Sequence, residues 1–427
     1  MHNSPRSLKP QTNAHACRVA VIWIDWYAYH VARFRGLDSA PSLFGRVVGL
    51  ELVGGVGVHA GLKFRENLPG NLAIETLMPN SSWADANKLQ LARQLWKRLA
   101  ALDPETVLVP GYYTLPAIAA AVWAKLHGRL SVLMTESTAA DHKRVAWKEW
   151  SKGLLLHTLF DWAVTGGQAH VLYLKQLGFP LDRIAGSYDV VDNAMFAEGT
   201  RALRAGNACD FGLPLDYFLY VGRFAEEKNV EALLASWLEY RRSGGAWSLV
   251  CVGDGPAASS LRAAAASTPF AADVYFPGLK SSHELLPFYA FAGAFVLPST
   301  REPWGLVVNE AMAAALPVLV SHRCGCAPDL VHDGTNGFLF DPSNQAELTA
   351  LLHRVAALSP DALTRMGGHS SEIIAGFSPQ RFGSEVAIIA NSAHPTAAHS
   401  TAAFTPATRT SAAFSPATTT SAARRTQ

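Results

Sequence analysis

The feature that most constrains the fold of this chain is an alternation of short apolar runs with segments of helical periodicity. In the first half, apolar runs over residues 18–24, 106–109 and 130–135 are separated by helical patterns, of which residues 88–102 form the clearest. Short β-branched runs that alternate with amphipathic helices are typical of buried parallel strands. We therefore expect an α/β domain built on a doubly wound parallel sheet, with helices on both faces.

The alternation lapses between residues 188 and 215 and then starts again with a strand-like run over residues 217–221. The stretch contains Asp192-Asn193, Gly199, Gly206-Asn207 and Pro214, turn-forming residues that are typical of an interdomain linker. The chain thus predicts two separate Rossmann-like units. The predicted boundaries are a flexible N-terminus over residues 1–16, a first domain over 17–193, a linker over 194–214 and a second domain over 215–378. A helix near residues 379–390 is expected to complete the first domain.

The last residues have a different composition from the rest of the chain. Residues 401–410 are nearly repeated by residues 411–420, and both copies consist mainly of Ala, Thr, Ser and Pro. Such copies contain too few large apolar side chains to bury a core. We therefore expect residues 393–427 to be a disordered tail without a role in the chemistry.

Composition limits the compartment and the partners. The chain has 427 residues, of which 49% are apolar and 16% charged, and its formal net charge is only +2, so bulk electrostatics give no reason to expect nucleic-acid binding. The five cysteines are scattered, which favours a reducing compartment. Residues 1–16 lack the apolar core of a signal peptide, and no apolar run is long enough to cross a membrane. We expect a cytoplasmic protein.

Two carboxylates bracket the turn between an apolar strand and an Ala-rich helix in the second domain. Glu302 follows Pro298 in the loop, and Glu310 falls in the second turn of a helix that begins near Gly305. At about 1.5 Å rise per helical residue, the two side chains lie on the order of 10 Å apart at one edge of the sheet. This separation is too wide for a shared proton. It favours two anchors for an elongated polar ligand.

Two cations lie at the start of the second domain, close to the predicted end of its first strand. Arg223 follows the run over residues 217–221, and Lys228 stands just before a helix that Asn229 could cap. A guanidinium, an ammonium and the free N–H groups of a helix N-terminus could together bind a diphosphate. The alternative is a solvated loop in which Glu226 and Glu227 pair with these cations.

The order of four motifs distinguishes between these alternatives. They read "YVGRFAEEKN", "VCVGDGP", "VYFPGLKSSHELLPFYAFAGAFVLPSTREPWGLVVNEAMAAALPVLVS" and "DGTNGFLF". In this order they resemble the C-terminal domain of glycosyltransferase family 4, a retaining group with the GT-B fold, over residues 217–341. A single Glu-x7-Glu pattern would be a weak signal, whereas this ordered series is specific. The resemblance implies a glycosyltransferase with two Rossmann-like domains that face each other across a cleft.

The resemblance also implies roles for residues of the second domain. The donor-binding positions that match the family motifs are Gly222, Arg223, Lys228, Leu279, Glu302, Trp304, Gly305, Leu306, Val307 and Glu310. Arg223 and Lys228 would hold the donor diphosphate, and Glu310 would accept hydrogen bonds from the ribose. Glu302 would contact the transferred sugar, with backbone N–H groups of residues 304–307 completing that pocket, and Leu279 would lie near the base. We expect neither a metal nor another cofactor, since the two cations neutralise the diphosphate.

The first domain departs from the family pattern at two places. A Gly-Gly loop that follows the first strand in many members is replaced by residues 25–30, and the position of a usual catalytic-region His reads Met134-Thr135-Glu136-Ser137. An attacking hydroxyl benefits from a nearby proton acceptor. The acceptor-side candidates are therefore Asp25, His30, Glu136 and His142, although for each residue taken alone a structural or solvent-facing role is the more common one. Among these, we add His30 and Glu136 to Glu302, Arg223 and Lys228 as candidate catalytic residues.

A helical stripe in the first domain could contact a membrane. Trp147, Trp150 and Leu154 share one face, beside Lys148 and Lys152. Such a face could rest on an anionic lipid surface, at the inner face of the membrane, although a core-facing stripe with a solvated flank has the same pattern.

The sequence therefore predicts a hexosyltransferase-like enzyme of glycan synthesis that moves a sugar from a nucleotide diphosphate to a glycan or lipid-linked acceptor. Two alternatives remain: a GT-B hydrolase or epimerase of nucleotide sugars, and a non-catalytic subunit that binds glycans or nucleotide sugars.

Overall fold

The computed structural model describes residues 17–43, 45–55, 73–141 and 144–392. The predicted flexible N-terminus, the repeat tail and His142 lie outside these residues. Residues 17–392 fall within a single compact unit.

The first half of the chain forms a seven-stranded, fully parallel sheet whose strand order is β3-β2-β1-β4-β5-β6-β7. The strands are β1 (Val19–Trp23), β2 (Val47–Val53), β3 (Ile74–Met78), β4 (Thr106–Pro110), β5 (Leu130–Thr135), β6 (Trp162–Thr165) and β7 (Ile184–Ala185). The helices between them are α1 (Ala28–Ser39), α2 (Lys88–Leu102), α3 (Leu115–Leu126), α4 (Ala146–Leu159) and α5 (Gln168–Gln176).

Both faces of this sheet are buried. Along β1, Ala20 and Ile22 join one apolar cluster, while Val19, Val21 and Trp23 join a cluster on the opposite face. Successive side chains of a strand point to opposite faces, so a strand that is apolar at every position must lie between two helical layers.

The second half forms a six-stranded parallel sheet in the order β10-β9-β8-β11-β12-β13. Its strands are β8 (Tyr217–Val221), β9 (Ser248–Val252), β10 (Val274–Gly278), β11 (Ala294–Leu297), β12 (Val318–Ser321) and β13 (Gly337–Phe340). The helices of this half are α6 (Asn193–Leu203), α7 (Val230–Arg242), α8 (Ala258–Ala266), α9 (Leu286–Phe291), α10 (Leu306–Ala313), α11 (Ala327–Leu330), α12 (Gln345–Ala356) and α13 (Pro360–Ile374). The predicted fold class, two doubly wound parallel sheets, is confirmed.

Several elements differ from the sequence expectation, among them the short strands β7 and β13 and helix α11, which were not predicted. The stretch expected to be a linker contains α6, whose Phe196 is buried in the core of the second half. Strand β3 and helix α13 were not predicted. In β3 every side chain is only partly buried, because it is an edge strand, and its apolar pattern is correspondingly weak.

The last described helix, α14 (Pro379–Ser392), returns to the first half of the chain. It packs on α1. Its Phe382, Val386 and Ile389 join the apolar cluster that contains Val19, Val21 and Trp23 of β1. The crossing is close, because a Cβ on Gly383 would lie 1.9 Å from the carbonyl oxygen of Gly36. Only glycine fits such an approach of two backbones.

This crossing gives a stability prediction. Gly383→Ala forces α1 and α14 apart, and we expect it to reduce the free energy of unfolding by about 3 kcal/mol, at the upper end of overpacking effects. Calorimetric unfolding would measure the change. Gly368→Ala is the matched control, since Gly368 is exposed on α13 with no neighbouring atom within 4 Å of its added Cβ. Equal melting temperatures for both variants would contradict the packing argument.

Candidate functional site

The carboxyl ends of both sheets border one open cavity of about 540 Å³. From the first sheet it is lined by Asp25 and His30 beyond β1 and by Glu136 beyond β5. The second half contributes Lys228 and Arg301. Ligands of open parallel sheets bind at such strand ends, so this cleft is the first candidate site.

A second, smaller cavity of about 210 Å³ adjoins the first, because Glu136, Lys228 and Pro303 line both. It extends into the second domain and contains most of the predicted donor-binding positions. Its lining includes Tyr29, Gly222, Lys228, Glu302, Trp304, Gly305, Leu306 and Val307. We call it the donor cavity.

Glu302 is paired with a cation inside the donor cavity. Its Oε2 accepts a short bond from Nζ of Lys228 and a 3.3 Å bond from Oγ of Ser299. The two charged side chains are only 21% and 11% exposed, so the pair is largely shielded from water. Removal of either partner would therefore leave the other as an uncompensated, largely buried charge, which destabilises the fold.

Glu310 is the more buried of the two carboxylates. It is 5% exposed, and its Oε2 accepts a 2.7 Å hydrogen bond from the hydroxyl of Tyr289. Burial raises the pKa of Glu310 to about 7, although the Tyr289 bond acts in the opposite direction. A carboxylate kept in so unfavourable a place is typical of a functional site.

The loop between the two carboxylates turns sharply into α10. Gly305 stands at φ 107°, in the left-handed region that favours glycine, and precedes the first helical residue, Leu306. A Cβ at Gly305 would also lie 3.1 Å from the side chain of Leu297. Beside this turn, Nε1 of Trp304 donates a 2.9 Å bond to Oδ1 of the buried Asn309.

The two predicted diphosphate cations are not brought together. Lys228 lines the donor cavity, whereas Arg223 is exposed and lines a separate cavity with Glu226 and Glu227. Within the described ranges, Arg223 has no ion pair. Asn229 stands at the N-cap position of α7, with φ 57°, but its side chain makes no cap hydrogen bond to this helix. Its amide instead donates to the carbonyl oxygens of residues 298 and 342.

His30 stacks on Trp23 with ring centroids 4.9 Å apart. Burial and the charge of Arg33 lower its pKa well below the ordinary value, so the ring is neutral. Its Nδ1 accepts a 3.1 Å bond from the N–H of Tyr27, which leaves the ring proton on Nε2. In this form Nε2 is a hydrogen-bond donor and not a proton acceptor, and the ring also bonds the backbone of Asp25.

Glu136 belongs to a cluster of charges beyond β5 and β7. Arg33, which is 1% exposed, bonds Oδ1 of Asp189 at 3.0 Å and approaches Oε1 of Glu136 at 3.7 Å. The guanidinium also lies 3.9 Å above the ring of Tyr188. Burial and the neighbouring Glu136 raise the pKa of Asp189 well above its ordinary value. Glu136, with a 42% exposed side chain, is the member of this cluster that faces the cleft.

Two further predicted positions have simple surroundings. Asp25 lines the cleft and accepts a hydrogen bond from the hydroxyl of Tyr27. Leu279 follows the end of β10 and is 47% exposed.

Sequence reasoning missed the groups that connect the two domains. Nδ2 of Asn309 donates a 2.9 Å bond to the backbone carbonyl of Asp189, and Oδ2 of Asp329 accepts a 2.9 Å bond from the N–H of Gln168. Asn309 carried one usable signal, since it has the only polar side chain between Glu302 and Glu310. The remaining partners are far apart in the chain and leave no local pattern.

Cys324 and Cys326 are buried, and burial raises the pKa of both thiols. Among the described residues, no group of three or more potential metal-binding side chains is found. No helix in the described part of the chain is long and apolar enough to span a membrane.

Comparison with known proteins identifies the second domain. Residues 213–367 match the family model described as "Glycosyl transferases group 1". The chain is 33% identical over 156 residues to alpha-D-kanosaminyltransferase of Streptomyces kanamyceticus, covering 36% of this chain and 40% of that protein. It is 28% identical over 181 residues to alpha-monoglucosyldiacylglycerol synthase of Streptococcus pneumoniae, covering 41% and 40% of the two chains. The chain thus spans less than half the length of these relatives.

Similar solved structures cover nearly the whole described fold. HepE from Anabaena, in complex with UDP and glucose, has a TM-score of 0.68 at 16% identity, covering 88% of this chain and 100% of that one. Sucrose-phosphate synthase from Thermosynechococcus elongatus has a TM-score of 0.65 at 16% identity, covering 88% and 98%. The predicted resemblance is confirmed at the level of this family model, and the two-domain fold by these structures.

The burial of Glu310 gives a pH-dependent prediction. Burial raises the pKa of Glu310 from 4.5 to about 7. At a pH between these two values, the folded protein keeps a proton on Glu310 that the unfolded chain has lost. Glu310 therefore destabilises the fold increasingly as pH rises through this window, and fully above it. We expect Glu310→Gln to raise the free energy of unfolding at pH 8 by up to roughly 3 kcal/mol, and not at pH 4.

Denaturant unfolding at pH 4, 6 and 8 would measure this effect. Glu302→Gln is the control, since it leaves Lys228 without its carboxylate and should give no stabilisation at any of these pH values. If Glu310→Gln is no more stable than wild type at pH 8, ionised Glu310 does not lower the free energy of unfolding.

Proposed function

Because residues 213–367 belong to the glycosyl transferases group 1 family, we propose that this chain is a retaining glycosyltransferase of the GT-B fold. Like a hexosyltransferase, it transfers a sugar from a nucleotide diphosphate to a hydroxyl of a glycan or a lipid-linked saccharide. The observation that carries the proposal is the donor cavity, in which Glu302, Lys228 and the start of α10 face one another.

In this reading Glu310 and Glu302 bind opposite ends of the donor. An ionised carboxylate only accepts hydrogen bonds, which suits the two hydroxyls of a ribose at Glu310 and those of the sugar at Glu302. Backbone N–H groups of residues 304–307, at the N-terminus of α10, complete the sugar pocket beside Gly222. Leu279 is assigned to the nucleotide base.

Departure of the nucleoside diphosphate places negative charge on its outer phosphate. Lys228 already lies in the cavity, and Arg223 follows Gly222 of its wall with an exposed guanidinium. Cations that face the leaving group stabilise the transition state more than the ground state. We propose that these two side chains serve in place of a metal ion, and that no other cofactor is needed.

The acceptor occupies the larger cavity. Glu136 lies where the two cavities meet and is the best placed proton acceptor for the attacking hydroxyl. His30, with its proton on Nε2, orients a substrate oxygen, and Asp25 lines the same wall. The hydroxyl attacks on the face from which the diphosphate departs, so configuration is retained without a protein nucleophile.

A panel of labelled nucleotide sugars, incubated with the protein and a lipid extract, tests this function. We expect a glycosylated product, whereas release of free sugar would indicate a hydrolase, an epimeric sugar still linked to the nucleotide an epimerase, and binding without turnover a non-catalytic subunit. Glu310→Ala should raise KM for the donor by about 10- to 100-fold, through loss of bonds to a charged group. Glu302→Ala should mainly lower kcat. Wild-type kinetics for both variants would refute the site assignment.

We further propose that the protein binds peripherally to the inner face of a membrane through α4. Trp147, Trp150 and Leu154 are 68%, 73% and 57% exposed, so the stripe faces outward and not into the core. Lys148 is exposed beside Trp147, with its Nζ 5.6 Å from that ring. Exposed Trp with flanking cations suits the boundary of an anionic bilayer.

The position of α4 is consistent with a lipid-linked acceptor. The loop that contributes Ser137 and Asp141 to the wall of the larger cavity leads into the start of this helix. A bilayer against α4 would therefore hold a lipid-linked saccharide near the cleft.

Sedimentation with phospholipid vesicles tests the contact. We expect wild-type protein to bind vesicles rich in phosphatidylglycerol, and Trp147→Ala with Trp150→Ala to reduce the bound fraction at least fivefold, since interfacial binding scales with buried apolar area. Leu215→Ala is the control, because Leu215 is 76% exposed but lies just before β8 of the other domain. Equal binding by the double variant and wild type would refute this contact.

A further inference from the structure

Tyr29 of the first domain lies in the donor cavity of the second. It is the second residue of α1, and its side chain lines the cavity together with Glu302 and residues 305–307. Its ring packs against the apolar core of the second domain. Among the described residues that line this cavity, only Tyr29 and Glu136 belong to the first domain.

The phenol of Tyr29 interacts electrostatically with both donor carboxylates. Burial raises its pKa to about 12, and the negative charges of Glu310 and Glu302 contribute to that rise. The hydroxyl is therefore protonated at neutral pH and can donate a hydrogen bond. Near two carboxylates, an anionic ligand requires hydrogen-bond donors in addition to Lys228, because that ammonium also bonds Glu302.

We propose that Tyr29 is a donor-binding residue whose hydroxyl donates a hydrogen bond to the diphosphate, in the span between Glu302 and Glu310. This inference rests on the proposed function, because it takes the sugar and ribose ends of the donor from that assignment. Tyr29 is part of the wall of a cavity of about 210 Å³, which is smaller than the roughly 300–1,000 Å³ of ordinary ligand pockets. A donor larger than this volume would extend into the larger cavity, which shares Glu136, Lys228 and Pro303 with it.

Calorimetric titration of wild-type protein with nucleoside diphosphates of four different bases first identifies the one that binds most tightly. The variants are then titrated with that nucleoside diphosphate. Tyr29→Phe keeps the ring and removes only the hydroxyl. We expect it to weaken binding by about tenfold, as for the loss of one hydrogen bond to a charged group. Tyr27→Phe is the matched control, because that hydroxyl is bonded to Asp25, and its affinity should equal that of wild type.

The outcomes separate this inference from the function on which it rests. If wild-type protein binds no nucleoside diphosphate, the proposed function fails. If Glu310→Ala weakens binding while Tyr29→Phe binds as wild type does, only the role of Tyr29 is refuted. Tighter binding by Tyr29→Ala would also refute it, since Tyr29 would then merely occlude the cavity. Melting temperatures of the variants exclude misfolding as the cause of any loss.

Discussion

One buried amide, that of Asn309, holds the loop between the two donor carboxylates to the other domain. It accepts a 2.9 Å bond from Trp304 within the loop and donates a 2.9 Å bond to the backbone of Asp189. Because each buried partner left unsatisfied would cost about 1–3 kcal/mol, this arrangement fixes α10 relative to the end of β7. Glu302 and Glu310 stand on either side of that fixed point. The geometry of the donor cavity is therefore set jointly by both domains.

Three charged side chains around the cleft are almost completely buried, which is costly for the stability of the fold. Arg33 and Asp189 are 1% and 0% exposed, and Glu310 is 5% exposed. Removing such groups from water costs several kcal/mol per ion, which the attraction of partners only partly offsets. Arg33 is offset by two carboxylates, whereas among the described residues the side chain of Glu310 has a hydrogen bond from a neutral phenol and no ion pair. The least compensated charge is the one assigned to the ribose, where a bound ligand would supply the missing hydrogen bonds.

The sequence predicts what local pattern encodes. Strands β8 and β11 are short apolar runs, and the turn from Glu302 into α10 has the loop and helix signals that place both carboxylates. It does not predict the helix α6, the role of Asn229 or the direction of the α4 stripe. A stripe of Trp147 and Trp150 has the same spacing whether it faces core or solvent, since periodicity defines a face but not its neighbour. Contacts such as that of Asn309 with Asp189 depend on distant parts of the chain, which no local pattern records.

Two residues at the start of α1 connect the donor cavity with the charge cluster at Glu136. Tyr29 and Arg33 are four residues apart on α1, so they lie on the same face of the helix. Tyr29 enters the donor cavity, and Arg33 pairs with Asp189 and approaches Glu136. A carboxylate at that position needs a nearby cation, because Asp189 would otherwise repel it. The first turns of α1 supply that cation and the aromatic ring together, so the position of this helix sets both the wall of the donor cavity and the surroundings of Glu136.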